Sequence, residues 1–390
     1  MQIPLISSDL PELSAEEYTR YSRHILLPNV GMEGQRRLKA ARVLVIGAGG
    51  LGSPTLLYLA AAGIGTLGVI DFDKVDMSNL QRQIIHRMST VDTPKTASAQ
   101  LAIQDLNPHV NVRVHEEALT NDNAIALFNE YDIILDGTDN FATRYLVNDA
   151  CVLANKPYVW GAIYRFEGQS SVFWEQAPEG CGLNYRDLYP VPPPPEMAPS
   201  CSEGGVFGVL CASIASIMST EVLKLILGVG NSLLGRLAVY DALDMTYRFL
   251  SIRKAQERKH ITELEDYQYF CRGSIVDDIQ DVVPSINVHE LQKRLEQGAN
   301  ITLIDVREQN EWDLVKIPQA SLKPKANFLQ SLPSMKTLNK DEEIIVYCKA
   351  GKRSDDVVKE MLKHGYRQVF SLEGGILEWI DKIDTSLPKY

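Results

Sequence analysis

The hexapeptide Gly47-Ala48-Gly49-Gly50-Leu51-Gly52 constrains this chain more than any other stretch. It follows RVLVI (42–46), which reads as a buried strand, and precedes TLLYLAAAG (55–63), which reads as a helix. G-x-G-x-x-G in that setting lets backbone approach a phosphate and aims a helix N-terminus at its charge. LGVID (67–71) is the next strand, so the segment is a βαβ unit with a parallel sheet. Asp71 ends that strand about twenty residues after the glycines, where a carboxylate can hold ribose hydroxyls. The pattern predicts a doubly wound α/β sheet that binds a nucleotide.

On the glycines alone, a nicotinamide oxidoreductase would serve. The next residues point to a triphosphate. Asp73, Ser78, Asn79, Leu80, Gln81 and Arg82 crowd into DFDKVDMSNLQRQ (71–83), and Lys95 follows in TPK. DGTDN (136–140) brings Asp139 and Asn140 to the end of a further strand. Cations aimed at one place suit a triphosphate. A carboxylate at a strand end suits Mg²⁺ bridging phosphates. Taken singly, Arg82 or Lys95 reads equally well as part of a solvated charged loop.

RYSRHILLP (20–28), GAGGLG, DFDKVDMSNLQRQ, DGTDN and PSCSEGGVFG (199–208) together resemble the MoeB/ThiF-type adenylyltransferases, relatives of ubiquitin-activating enzymes. The resemblance runs over residues 14–250. It implies an ATP site lined by Gly47, Gly49, Gly50 and Gly52, with Asp71 on the ribose. It also implies that Asn79, Arg82 and Lys95 face the phosphates, with Ser78, Leu80 and Gln81 in the same set. Asp139 would bind Mg²⁺, with Asn140 beside it. Arg23 would reach the ATP of a partner subunit, making a homodimer. The implied chemistry is attack of a small ubiquitin-like protein's C-terminal carboxylate on the α-phosphate. That carboxylate is already ionised, so catalysis needs positioning and charge neutralisation rather than a base.

A polar stretch without strong periodicity, KAQERKHITELEDYQYF (254–270), reads as a linker, and a second α/β rhythm starts near Ser285. The expected domains are 1–253, a linker 254–284, and 285–390. In the last, Cys348 follows the strand EIIVY and opens CKAGKRS (348–354), ahead of a helix that Ser354 would cap. Curled backbone N–H groups there, with Lys349, Lys352 and Arg353, would favour a thiolate or persulfide anion. The C-x-x-G-x-R pattern, Asp305-Val306-Arg307 and LEGGILEW (372–379) resemble a rhodanese domain, with IPQA (317–320) where relatives often have IPGA. Joined to the first part, it resembles the MoeZ-type fused adenylyltransferase/sulfurtransferases.

The other cysteines are scattered, at 151, 181, 201, 211 and 271, which suits a reducing, cytoplasmic setting. Cys201 follows the proline-rich loop 187–201, and the resemblance implies that it attacks an activated carrier or resolves a disulfide. Cys151 and Cys211 fall on apolar helical faces and read as core. Many relatives hold structural zinc with two CxxC pairs. Here CGLN places Asn184 at the second position, and Cys271 stands alone between residue 250 and the CKAGKRS loop, so no structural zinc is expected. The net charge of −11 argues against nucleic acid or anionic membranes as general partners. Residues 206–228 are apolar, but Glu221 and Lys224 interrupt them, so they read as a core helix rather than a membrane span. The first residues show no signal-peptide pattern.

The reading that unites these features has two α/β domains, a Rossmann-like doubly wound mixed sheet and a smaller rhodanese-like domain. The first adenylates the C-terminal glycine of a carrier protein ending in Gly-Gly. The second passes sulfur to it, with Cys201, Cys348 and Arg353 as catalytic residues and thiosulfate or a cysteine desulfurase as donor. The product is a C-terminal thiocarboxylate for molybdopterin, cysteine or related sulfur-metabolite biosynthesis. The alternative is an enzyme that conjugates a ubiquitin-like protein, its rhodanese domain a docking module.

Overall fold

The computed structural model describes residues 1–5, 7–193, 205–272, 283–335 and 338–390. The chain forms two compact units, Met1–Ile275 and Val276–Tyr390.

The first unit is built on one sheet of eight strands: β1 (Arg42–Ile46), β2 (Thr66–Ile70), β3 (Asn111–His115), β4 (Ile133–Asp136), β5 (Tyr158–Tyr164), β6 (Glu167–Phe173), β7 (Arg236–Asp241) and β8 (Thr246–Ser251). Their order is β3-β2-β1-β4-β5-β6-β7-β8. The first five run parallel, and β6, β7 and β8 join antiparallel. From Val43 onward β1 is apolar because both its faces are covered. Val43 and Val45 enter one core cluster, Leu44 and Ile46 the other. The chain reverses direction across the sheet between β1 and β4, which opens a crevice beyond their carboxyl ends.

The long apolar helix Gly208–Leu227 packs on β5, β6 and the helix Gly52–Ala62. Its two charges serve the fold. Glu221 pairs with Lys224 at 2.5 Å and accepts the N–H of Leu233 at 2.7 Å, tying the following turn to the helix. Ser14 and Glu17 form a capping box at the start of the helix Ala15–Arg20. The predicted linker behaves differently. Residues 254–272 pack on the first unit, where Arg258 pairs with the buried Asp187 at 2.6 Å and Tyr267 donates to Asp149 at 2.9 Å. The stretch looked free because its few apolar anchors, Leu264, Tyr267 and Phe270, follow no period and its other anchors are ionic.

The second unit has five parallel strands in the order β11-β10-β12-β13-β9. They are β9 (Ser285–Ile286), β10 (Ile301–Asp305), β11 (Ser321–Leu322), β12 (Glu343–Tyr347) and β13 (Val369–Leu372). Asp305 and Tyr347 stand side by side where β10 and β12 end. Cys348 therefore begins its loop beside Asp305-Val306-Arg307.

Candidate active sites in the two units

The crevice of the first unit is a cleft of about 460 Å³. Gly47, Gly49, Gly50, Asp71, Asp73, Arg82, Lys95, Asp139, Asn140 and Arg144 line it, from several different elements. The turn after β1 is tight. A Cβ on Gly52 would lie 1.8 Å from the Gly47 carbonyl oxygen, so only glycine closes it. The turn delivers the N-terminus of the helix Gly52–Ala62 to the cleft. Asp71 is held by the N–H groups of Ala48 at 2.8 Å and Asp73 at 2.9 Å, one on each oxygen. These two backbone bonds fix its orientation.

The cations are held lightly. Lys95 is buried and pairs with Asp73 at 2.8 Å, while Asp73 is half exposed. Arg82 donates to the Ser78 carbonyl at 3.1 Å. A polyphosphate entering the cleft can take over both contacts. The residues thus fit ATP: a glycine turn, a helix N-terminus, an oriented carboxylate and two cations. Asp139 sits exposed at the rim. Among the described residues no three His, Cys, Asp or Glu side chains cluster as a metal cage. A Mg²⁺ ion here would be held mainly by phosphate and water, as this ion usually is.

Not every expected residue faces the cleft. Ser78 Oγ donates to Asp76 Oδ1 at 2.6 Å, and Asn79 Oδ1 accepts the Asp76 N–H at 3.1 Å. Both close the turn Met77–Asn79. Asn140 does line the cleft, but its side chain also caps the helix Phe141–Leu153 through the Thr143 N–H at 2.8 Å. Arg23 is exposed on the helix Ser22–Ile25, and neither it, Gly52, Leu80 nor Gln81 lines the cleft. Cys201 lies outside the described residues.

Sequence reasoning missed His86. It is buried, with Nε2–H donating to the Ala48 carbonyl and Nδ1 accepting from Ser98, both at 2.9 Å. Burial lowers its pKa, and the nearby Lys95 charge adds to this, so the ring is neutral. The ring braces the glycine turn against the helix Lys95–Leu106, which carries Lys95. The only signal was a lone histidine shortly after DFDKVDMSNLQRQ, with no periodicity to mark it. Asp136 was quoted only as part of a motif. It is fully buried, one oxygen accepting from Thr138 N at 3.0 Å and Oγ1 at 2.7 Å, and burial raises its pKa.

In the second unit Cys348 is buried at the head of its loop. The Gly351 N–H points at Sγ from 3.2 Å, and the Ser354 hydroxyl lies 3.6 Å away. The loop carbonyls are taken up elsewhere. Cys348 O accepts from Ile376 N at 2.9 Å and Lys349 O from Leu377 N at 3.1 Å. That is the role of the glycine pair in LEGGILEW. A Cβ on Gly375 would meet Cys348 O at 2.4 Å, so the loop and the helix Gly375–Lys382 interlock only through glycine. Ser354 does not cap the following helix, contrary to expectation. The helix starts at Lys352 with Gly351 as its N-cap, and Ser354 sits in its first turn. Its hydroxyl donates to Gly351 O at 2.6 Å and accepts from Ser371 at 2.9 Å.

Arg353 forms a two-pronged pair with Glu311, at 2.7 and 2.8 Å. Burial alone would raise the Glu311 pKa, but the Arg353 bonds and charge outweigh it, and the carboxyl stays below its ordinary range. Arg307 is wholly buried. It pairs with Asp305 at 2.5 Å and donates to the carbonyls of Val315 at 2.7 Å and Glu311 at 3.2 Å. Arg307 therefore holds the segment opposite the cysteine loop. Neither Glu311 nor this bracing role of Arg307 was visible beforehand, since both depend on contacts across the fold.

Comparison with known proteins agrees with this geometry. Residues 21–262 match the ThiF family, and residues 287–382 match the rhodanese-like domain. The chain is 54% identical over 390 residues to the "Probable adenylyltransferase/sulfurtransferase MoeZ" of Mycobacterium tuberculosis, covering 100% of this chain and 99% of that one. It is 38% identical to "Adenylyltransferase and sulfurtransferase MOCS3" of Drosophila ananassae, over 97% of this chain and 87% of the other. The "Sulfur carrier protein adenylyltransferase" of Thermus thermophilus is 49% identical over 66% of this chain and 97% of its own. Among solved structures, E. coli MccB has the same fold, with TM-score 0.54 at 19% identity over 65% of this chain and 76% of that one. This chain belongs to the ThiF family, carries a C-terminal rhodanese-like domain, and is an adenylyltransferase and sulfurtransferase.

Proposed function

We propose that the first unit uses ATP and Mg²⁺ to adenylate the C-terminal glycine of a small ubiquitin-like sulfur carrier protein, and that Cys348 then supplies sulfur as a persulfide. One observation carries this reading: a single chain holds both a cation-lined nucleotide cleft and a thiol in a cationic loop. The first makes an electrophile and the second stores a nucleophile. The printed name of the Thermus relative, whose length the first unit matches, supports the choice of substrate.

The carrier carboxylate attacks the α-phosphorus, and pyrophosphate leaves. Arg82 and Lys95 balance charge on the phosphates and Asp71 orients the ribose; Asp139 would hold Mg²⁺ at the rim, and the ion would supply neutralisation of phosphate charge. The terminal sulfur of Cys348–S–S⁻ then attacks the acyl carbon, and AMP leaves. The carrier is now joined to Cys348 by an acyl disulfide. A second thiolate, which we assign to Cys201, attacks the Cys348 sulfur and releases the carrier thiocarboxylate. Two cellular thiols, or one dithiol, reduce the resulting Cys201–Cys348 disulfide and are themselves joined as a disulfide. Free thiols of this kind suit a cytoplasmic enzyme.

The sulfur donor is thiosulfate or the persulfide of a cysteine desulfurase. The enzyme acts as a homodimer, with Arg23 reaching the partner's nucleotide. The test is ATP–pyrophosphate exchange, which should require a carrier ending in Gly-Gly and vanish when the last glycine is removed. With thiosulfate present, the carrier should become about 16 Da heavier, one oxygen replaced by sulfur through thiol exchange. Exchange independent of any carrier would refute the assignment.

A further inference from the structure

Tyr390 reaches the cysteine loop from outside it. Its hydroxyl donates to Glu311 Oε1 at 3.1 Å and accepts a short bond from Arg307 Nη1. The same Glu311 holds the Arg353 guanidinium through both oxygens. The Tyr390 ring also contacts a second cation of the loop. Lys349 Nζ lies 4.7 Å from the ring centroid, within cation–π range, and Arg307 Cζ lies 5.7 Å from it. Residues 349 and 353 stand on either side of the turn that aims Gly351 N–H at Cys348. One side chain is therefore connected to both flanking cations.

We propose that Tyr390 is a positioning residue for sulfur transfer, its ring seating Lys349 and its hydroxyl steadying the Glu311–Arg353 pair. The loop then presents a fixed positive rim to an anionic sulfur donor. The proposal rests on the assignment of Cys348 as the sulfur-carrying thiol. A lysine has a long flexible stem, and its charge is spread over many rotamers unless something confines it. An aromatic face confines it at little desolvation cost. Phenylalanine can do the same, whereas an aliphatic side chain cannot. The hydroxyl contributes less, because Arg353 keeps two bonds to Glu311 without it.

The test compares alkylation of Cys348 by iodoacetate and by iodoacetamide in the full-length chain, read peptide by peptide with mass spectrometry. The reagents differ in charge but little in size, so their rate ratio reports the local potential at Sγ. A loop that merely loosens raises both rates and leaves the ratio alone. Tyr390→Leu should lower the iodoacetate-to-iodoacetamide ratio about threefold to fivefold, the size of one lost cation–π contact. Tyr390→Phe should change it less than about twofold, as the ring is kept. The KM for thiosulfate should rise by the same factor in Tyr390→Leu, with kcat nearly unchanged. In a Lys349→Gln background, Tyr390→Leu should have little further effect on the ratio. An unchanged ratio in Tyr390→Leu, or a parallel rise in both rates, overturns the proposal. If that variant does not fold, Tyr390→pentafluorophenylalanine keeps the volume while reversing the charge of the ring face. It must lower the ratio as well, and an unchanged ratio there overturns the proposal. A parent chain that takes up no sulfur on Cys348 from thiosulfate would instead overturn the assignment beneath it.

Discussion

Both units place their chemistry where parallel strands end, yet they hold their charges in opposite ways. In the nucleotide cleft, Lys95 pairs with the half-exposed Asp73, and Arg82 rests on the Ser78 carbonyl. Beside the cysteine, Arg307 and Arg353 are each locked to a buried carboxylate through two or more bonds. The contrast follows from what each site handles. Phosphates arrive and depart with every turnover, so their cations must be free to exchange partners. In the proposed cycle sulfur is loaded, donated and released at one fixed thiol, so its loop is better built rigid.

The largest expected difference lies in stability. Arg307→Ala leaves Asp305 buried without its partner, which typically costs about 3–5 kcal/mol. Thermal unfolding followed by amide exchange in β10 and β12 should report that loss, with β1 and β4 unaffected. Equal protection in both variant and parent would mean that the second unit does not depend on this pair.

Next comes catalysis in the first unit. Lys95→Ala and Asp139→Ala should each slow carrier-dependent ATP–pyrophosphate exchange about a hundredfold or more, the usual effect of losing one charged contact on a transition state. Loading of sulfur onto Cys348 from thiosulfate should proceed at the parent rate. If sulfur loading fell in step with exchange, the division between the units would be wrong.

The smallest effect is a pH dependence that separates the units. The folded pKa of His86 lies below its ordinary value of about 6.5, so the unfolded chain binds more protons in that window. Stability from His86 is full above that ordinary value and is lost as pH falls through the folded pKa. Glu311 is also depressed, and its contribution is lost only below the ordinary carboxylate range. Asp136 runs the other way, its raised folded pKa giving stability as pH falls. His86→Gln isolates the histidine's share. Relative to that variant, β1 amides of the parent should lose protection from about pH 6.5 downward, while β12 amides should not. Parallel losses in both strands would contradict the assignment of this slope to His86.

Much of the fold was legible because its signals are local. RVLVI is apolar on both faces, and a strand buried on both faces must be. GAGGLG and LEGGILEW carry glycines whose Cβ positions are filled by neighbouring backbone. The antiparallel β6 was harder to see. Its residues Gly168, Ser170 and Ser171 are small because the helix Gly208–Leu227 and the carbonyls of Trp160, Leu233 and Arg236 press against them. A sequence shows polar residues there without showing what they touch. The same holds for Ser78 and Asn79, whose polarity closes a turn rather than facing the cleft. His86, Glu311 and Tyr390 matter only through partners far away in the chain, and no period or motif announces such pairs.

In the proposed mechanism adenylation belongs to the first unit and sulfur transfer to Cys348 in the second. Cys348→Ala, incubated with ATP, Mg²⁺, a Gly-Gly carrier and thiosulfate, tests it most directly when both steps are followed in one sample. The account predicts pyrophosphate exchange at the parent rate and no carrier thiocarboxylate by mass. Thiocarboxylate formed at the parent rate would contradict it, because sulfur would then reach the carrier without the loop at residues 348–354.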